Sequence, residues 1–239
     1  MVTNVLLRGR SLTEFETLDS PDIVFLVNDM DREVEEVNGL KEYLLDKEIN
    51  LVFNMVKGAE IGYKRINFFD EFNVTKLIRP YVVGTRYDDR AQDIPIENTF
   101  LDESHIPFMS IGSKYAYEYP GTGIAAIAYA ILDCKFDVVN IVGLDFYDNL
   151  FYGQSNYLVQ DNAGRDYWTD LSELQVKNPE LQTKRLDLPD LDDWQYKIQN
   201  TLCDLVEHKP NIQVNLKTKC KSLIPRILTY DNLNIEVIK

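Results

Sequence analysis

The sequence predicts an α/β fold, doubly wound about a mainly parallel sheet, and three observations carry that expectation. Residues 22–27 and 138–144 are apolar almost throughout, the pattern of strands buried on both faces. Stretches with helical spacing of apolar residues alternate with such runs. Finally, Gly121-Thr122-Gly123 opens a run of small and apolar residues reaching Leu132, and the strand that follows ends in Gly143. Such a helix and strand frame a ligand site, because ligands in open α/β sheets sit outside the carboxyl ends of the strands. The free N–H groups of a helix N-terminus favour an anion there.

Taken in order, Val5-Leu6-Leu7 is a short buried strand, and Arg8-Gly9-Arg10 turns out of it. Ser11-Leu12-Thr13-Glu14 has the form of a capping box, serine to glutamate three residues on. Strand, glycine turn and capped helix make a phosphate-binding arrangement in many α/β proteins, and the arginines suit bidentate contact with phosphate oxygens. A plain strand-to-helix turn with exposed arginines satisfies the same residues. The second strand ends at Asn28-Asp29, and a helix follows with Val34, Val37, Leu40 and Leu44 on one face. The third strand, 49–53, ends in Asn54. An asparagine amide both donates and accepts, which suits a base or sugar; asparagine is also common in turns for local reasons.

Residues 77–83 and 106–111 read as further strands on either side of a polar, irregular segment, 86–103. Beyond the strand at 138–144 the pattern changes. From 147 to 193, Gly153, Gly164, Pro179 and Pro189 punctuate polar and aromatic residues with little periodicity. The stretch is longer than an ordinary connection and predicts a mobile lid or small subdomain carried on the sheet. A helix at 194–206 turns Ile198, Leu202 and Leu205 inward, a strand occupies 212–216, and the tail from 222 closes the fold. The whole chain, 1–239, is expected to form one domain, with 147–193 inserted in it.

An apolar fraction of 45% suffices for a core, and 11% aromatic residues argue against disorder. The net charge of −14 repels nucleic acid and anionic membrane surfaces. A nucleotide ligand would therefore need a local pocket rich in cations or N–H groups. Cys134, Cys203 and Cys220 show no CxxC spacing, so a disulfide framework or zinc knuckle is not expected and a reducing compartment fits. Cys134 and Cys203 fall in helix-like runs and are read as core residues. The N-terminus lacks a signal-peptide layout, and no run approaches the ~18 apolar residues of a membrane span. A soluble, cytoplasmic protein is expected. Asp29-Met30-Asp31 has the D-x-D form of a metal motif and the adjacent pair Asp88-Asp89 superficially resembles it, but both lie in acidic, polar turns. No dinucleotide fingerprint, P-loop, G-x-S-x-G or HExxH motif is present.

Gly121-Thr122-Gly123 before a small-residue helix, then Ile141-Val142-Gly143-Leu144-Asp145-Phe146-Tyr147 with a second tyrosine at Tyr152, resembles the bacterial sialyltransferases of glycosyltransferase family 42. Gly9-Arg10-Ser11-Leu12 and the asparagines Asn28 and Asn54 fit the same family, and the order of elements agrees over almost the whole chain. The resemblance implies a Rossmann-like, GT-A-type variant with a lid insertion, and a metal-independent, inverting transferase without a cofactor. Its donor would be a cytidine monophosphate (CMP)-activated sialic acid or related nonulosonic acid, and its acceptor a glycan hydroxyl. By position, Arg8 and Gly9 would lie beside the nucleotide phosphate, and Asn28 and Asn54 would contact nucleotide or sugar. Thr122 and Gly123 would meet the donor and Gly143 would approach the cytidine, with Asp145 in the same donor-binding run. Tyr147 and Tyr152 would donate phenolic hydrogen bonds to the leaving phosphate, replacing the charge stabilisation of a metal.

Two departures from the family follow. Its lid histidine is missing, since the matching stretch is Leu186-Asp187-Leu188-Pro189-Asp190-Leu191-Asp192-Asp193. Asp190 is the best placed replacement as general base; Asp187, Asp192 and Asp193 compete, and Asp192 or Asp193 also fits helix capping. His208 at a helix end suits the helix dipole, and His105 a structural role. The arginine that precedes the threonine step in some relatives is also absent, leaving Arg86 or Arg165 to meet a sugar carboxylate. The expected partners are a CMP-activated sugar and a glycan acceptor, with no nucleic acid and no membrane span; a homo-oligomer is left open. Two alternatives stand beside this expectation: a metal-dependent transferase using another nucleotide sugar, and a nucleotide-binding protein without turnover.

Overall fold

The computed structural model describes residues 1–27, 30–52, 68–80, 108–111, 122–146, 156–160, 166–170 and 191–239. Strand β1 (Val2–Leu6) leads through a 3-10 helix (Arg10–Thr17) to β2 (Ile23–Val27). Helices α1 (Asp31–Glu36) and α2 (Leu40–Leu45) precede β3 (Glu48–Val52). Helix α3 (Phe68–Glu71), β4 (Val74–Pro80) and β5 (Phe108–Ile111) come next, then α4 (Thr122–Leu132) and β6 (Val138–Val142). Strands β7 (Asn156–Gln160) and β8 (Asp166–Asp170) pair with each other, antiparallel. The chain ends with α5 (Leu191–His208), β9 (Gln213–Thr218), a 3-10 turn (Pro225–Leu228) and β10 (Leu233–Val237).

Eight strands form one sheet in the order β10-β9-β6-β1-β2-β3-β4-β5, and every pair in it is parallel. The central strands are buried on both faces, which is why β2 reads as a continuous apolar run and β1, β3 and β6 as mostly apolar ones interrupted by the buried polar residues Thr3, Asn4, Asn50 and Asn140. From β1 the chain winds outward through β2, β3, β4 and β5, then crosses back so that β6 lies on the other flank of β1. The helices change face at that crossing. Asn4 of β1 donates to the Tyr43 hydroxyl of α2 (2.7 Å), whereas Phe25, on the opposite face, meets Tyr129 of α4 edge-on at 6.2 Å. A sheet covered on both faces with such a reversal is the doubly wound, Rossmann-like arrangement. Alanines 125, 126, 128 and 130 of α4 are all buried and let the helix lie close to the sheet.

On the face of α2, four asparagines in register form a ladder across β10, β9, β6 and β1. Asn234 donates its side-chain N–H to Asn215 (3.1 Å), Asn215 to Asn140 (2.8 Å), and Asn140 to Asn4 (2.8 Å). Asn4 passes the chain on to the Tyr43 hydroxyl and the Asp19 carbonyl. The ladder runs from an exposed residue, Asn234, to a fully buried one, Asn4.

Several sequence expectations are corrected. The capping box does not form: Gly9 is the N-cap residue, no side chain caps the helix, and the first helix is 3-10 rather than α. Ser11 is buried inside it because its hydroxyl serves another loop. The single helix expected around Val34–Leu44 is two short ones, broken at Gly39, whose φ of 79° is left-handed. Val34, Val37, Leu40 and Leu44 are nonetheless all buried, as the spacing predicts. Within 147–193, the expected mobile lid or small subdomain, the described residues include the β7–β8 ribbon; the helix expected from 194 begins at Leu191, so Asp192 and Asp193 lie within its first turn rather than at its cap. His208 does end α5, where its ring N–H donates to the Asp204 carbonyl (2.7 Å). Cys134 falls just beyond α4 and is half-buried, while Cys203 and Cys220 are buried. Among the described residues, no helix is long and apolar enough to cross a membrane.

Candidate functional site

The switch point of the sheet lies between β1 and β6, and the loops leaving their carboxyl ends meet there. Leu7 extends the pairing, its N–H donating to the Val142 carbonyl (2.9 Å), and the Gly9 N–H donates to the Gly143 carbonyl (2.8 Å). Contact this close needs both glycines. A Cβ on Gly9 would fall 2.4 Å from the Gly143 oxygen, and one on Gly143 would fall 2.0 Å from the Leu7 oxygen. Gly143 also has a φ of 78°, a conformation that side chains oppose. The helix α4 starts beside the same point, since a Cβ on Gly123 would touch the Leu7 side chain at 3.2 Å. Thr122, its first residue, is buried.

Asp145 holds the three loops together. Its carboxylate accepts from the Ser11 N–H (3.0 Å) and the Ser11 hydroxyl (2.6 Å). It also accepts from the Lys219 N–H (2.8 Å) and the Thr218 hydroxyl (3.3 Å). The Ser11 oxygen in turn accepts the Gly143 N–H (2.8 Å), and Thr218 donates to the Leu144 carbonyl (2.8 Å). The ends of β1, β6 and β9 are thus fastened to one carboxylate that is 3% exposed. A buried charge is tolerable only with such hydrogen bonding. Phe146 follows with a φ of 47° and a buried ring.

Beside this cluster, the Arg8 ε N–H donates to Glu33 of α1 at 2.7 Å, in an ion pair whose carboxylate is 2% exposed. The pair fixes the guanidinium and offsets part of its charge. Sequence reasoning did not single out Ser11's link to Asp145, or Glu33 or Thr218. Glu33 sits among Asp31, Arg32, Glu35 and Glu36, and nothing local distinguishes a buried acid from a solvated one.

Of the residues expected at the site, the structure brings Arg8, Gly9, Thr122, Gly123, Gly143 and Asp145 to one sheet edge. Asn28, Asn54, Tyr147, Tyr152 and Asp190 lie outside the described residues, as do Gly121, Arg86, Arg165, His105 and Asp187. Among the described residues no three acidic, histidine or cysteine side chains converge as a metal site would require; Asp29, Asp88 and Asp89 fall outside them. Comparison of the chain with protein-family models, with curated proteins and with solved structures finds no match.

Proposed function

We propose that the chain is a nucleotide-sugar transferase that takes a CMP-activated nonulosonic acid to a glycan hydroxyl. The observation that carries the reading is the β1–β6 switch point, with two glycine-built loops and the start of α4 at one edge. Open α/β sheets bind their ligands at such a point. The first-turn N–H groups of α4 have no intrahelical partners and are the donors this reading assigns to the phosphate. Arg8, oriented by Glu33, supplies a cationic group at this edge, which a chain of net charge −14 needs locally. Asp145 then acts as a positioning residue, because its oxygens are taken up by Ser11, Thr218 and Lys219. The cytidine preference, the GT-A-type variant with a lid, the phenols of Tyr147 and Tyr152 and the base Asp190 enter through the family resemblance.

The chemistry is departure of CMP from a tertiary anomeric carbon through an oxocarbenium-like transition state. Neutral donors aimed at the growing phosphate charge stabilise it without offering a competing nucleophile. A thermal-shift panel of cytidine, uridine, guanosine and adenosine nucleotides, each with and without magnesium, tests the reading. Stabilisation by CMP in the absence of magnesium is the expected result. A uridine or guanosine diphosphate preference that needs magnesium would replace it with a metal-dependent transferase. CMP stabilisation without transfer or donor hydrolysis at any pH would leave a nucleotide-binding protein.

A further inference from the structure

We propose a second binding site, on the sheet face over β6, β9 and β10 beside the end of the first 3-10 helix, for a neutral, polyhydroxylated ring such as a hexopyranose. It does not depend on the nucleotide reading, since it lies on the sheet face rather than at the carboxyl edge. A cavity of about 280 Å³ is found there, with Asn140, Asn215 and Asn234 among its lining residues. Its side wall comes from the end of the first 3-10 helix, residues 17–19, and its rim from Lys217 and Glu236.

The asparagine ladder gives this floor its chemistry. An amide offers two N–H donors and two acceptor lone pairs, and the ladder uses one of each at Asn140 and Asn215. One donor and one acceptor remain on the half-buried Asn215, beyond the ladder bonds, while Asn140 is buried and forms the deep end of the floor. Neighbouring amides are spaced by the strand separation, about 4.8 Å, comparable with the spacing of alternate hydroxyls around a pyranose ring. The hydrogen bonds all point one way, so each amide that donates inward becomes a better acceptor at its own carbonyl. That polarisation ends at the rim, on the Asn234 carbonyl, which no donor reaches among the described residues. A sugar hydroxyl is the matching donor.

The remaining lining residues select against ions. The Lys217 ammonium donates to the Thr17 hydroxyl at 2.7 Å and lies 3.2 Å from a Glu236 oxygen, so its charge is already compensated. Asp19 leaves the lining with net negative charge, which disfavours an anion. Leu18 adds the apolar surface that the C–H face of a sugar ring requires.

Titration of the isotope-labelled chain with glucose, galactose, mannose and their methyl glycosides, followed by side-chain amide NMR, tests the site. Free sugars stand for a soluble ligand, and methyl glycosides for a glycan-linked ring. Saturable shifts at millimolar concentration, centred on the Asn140, Asn215 and Asn234 amides, are expected from at least one of the two groups. Asn234→Ala and Lys217→Ala, both at the rim, should each weaken binding by about three- to tenfold while leaving the thermal midpoint in place. The absence of saturable shifts with every probe would overturn the proposal. So would shifts centred elsewhere, or wild-type affinity in both variants.

Discussion

A methyl group on Gly143 would collide with the Leu7 carbonyl and would hold the backbone at a φ of 78°, where side chains are rarely found. The left-handed conformation alone costs roughly 1–2 kcal/mol, and no flexible side chain can yield, because the obstacle is backbone. Gly143→Ala should therefore lose about 3 kcal/mol or more in urea unfolding, or fail to fold. Gly123→Ala is the informative contrast. Its obstacle is the Leu7 side chain, and alanine gains up to about 1 kcal/mol of helix propensity, so stability should stay within about 1 kcal/mol of wild type. Equal losses at both positions would mean that the β1–β6 approach is not what Gly143 protects. Asp145→Ala should cost about 3 kcal/mol, because the buried Ser11 hydroxyl and two backbone N–H groups lose their acceptor, while Thr218 keeps the Leu144 carbonyl; a loss within experimental error would remove its role as a fastener. The glycines could be read from the sequence, since a glycine just past a buried strand has few other uses. Asp145 could be found but not understood. A polar residue at the carboxyl end of a strand looks the same whether it faces a ligand or a serine 134 residues away.

At the scale of elements, the strands were legible and their cross-links were not. Mostly apolar runs marked β2, β3 and β6 to within a residue or two, because burial on both faces leaves little choice of composition. The asparagines within β1, β6, β9 and β10 were visible one at a time, yet only the order and register of the strands align them. The ladder should be energetically graded. Asn140→Ala leaves the buried Asn4 carbonyl without its donor and should cost about 2–3 kcal/mol. Asn234→Ala, at the exposed end, should stay within about 0.5 kcal/mol. Urea midpoints of the two variants decide the matter, and equal values would contradict a ladder anchored in the core. The 3-10 helix illustrates the opposite failure. Serine and glutamate at capping distance were present, but the serine hydroxyl was recruited by a loop that no local pattern connects to it.

For the molecule as a whole, the acidic surface sets which partners are tolerated, and the interior sets the pH range of stability. Burial pushes the Cys203 thiol up to about 11 and the Tyr129 phenol up to about 12. Cys134 is likewise pushed up to about 11, burial outweighing the pull of nearby Lys76. These groups keep their protons in the folded state at a pH where the unfolded chain releases them. The contribution of the thiols is therefore intact below their ordinary value of 9.0 and declines as pH rises towards 11, and that of Tyr129 declines from its ordinary 10.0 towards about 12. Urea midpoints should hold steady up to about pH 9 and then fall, and a flat alkaline limb would contradict the burial of these side chains. The parallel, doubly wound plan was legible from alternation of elements, but the position of β1 at the centre of the sheet was not. That position bears on how the protein is made. Asn4 meets Asn140, 136 positions further along the sequence, so on the ribosome the first strand waits with one flank bare until the residues of β6 have been synthesised. Pairings this distant are slow to close and a bare flank invites other strands; the hour of greatest hazard for this protein falls before its sixth strand leaves the exit tunnel.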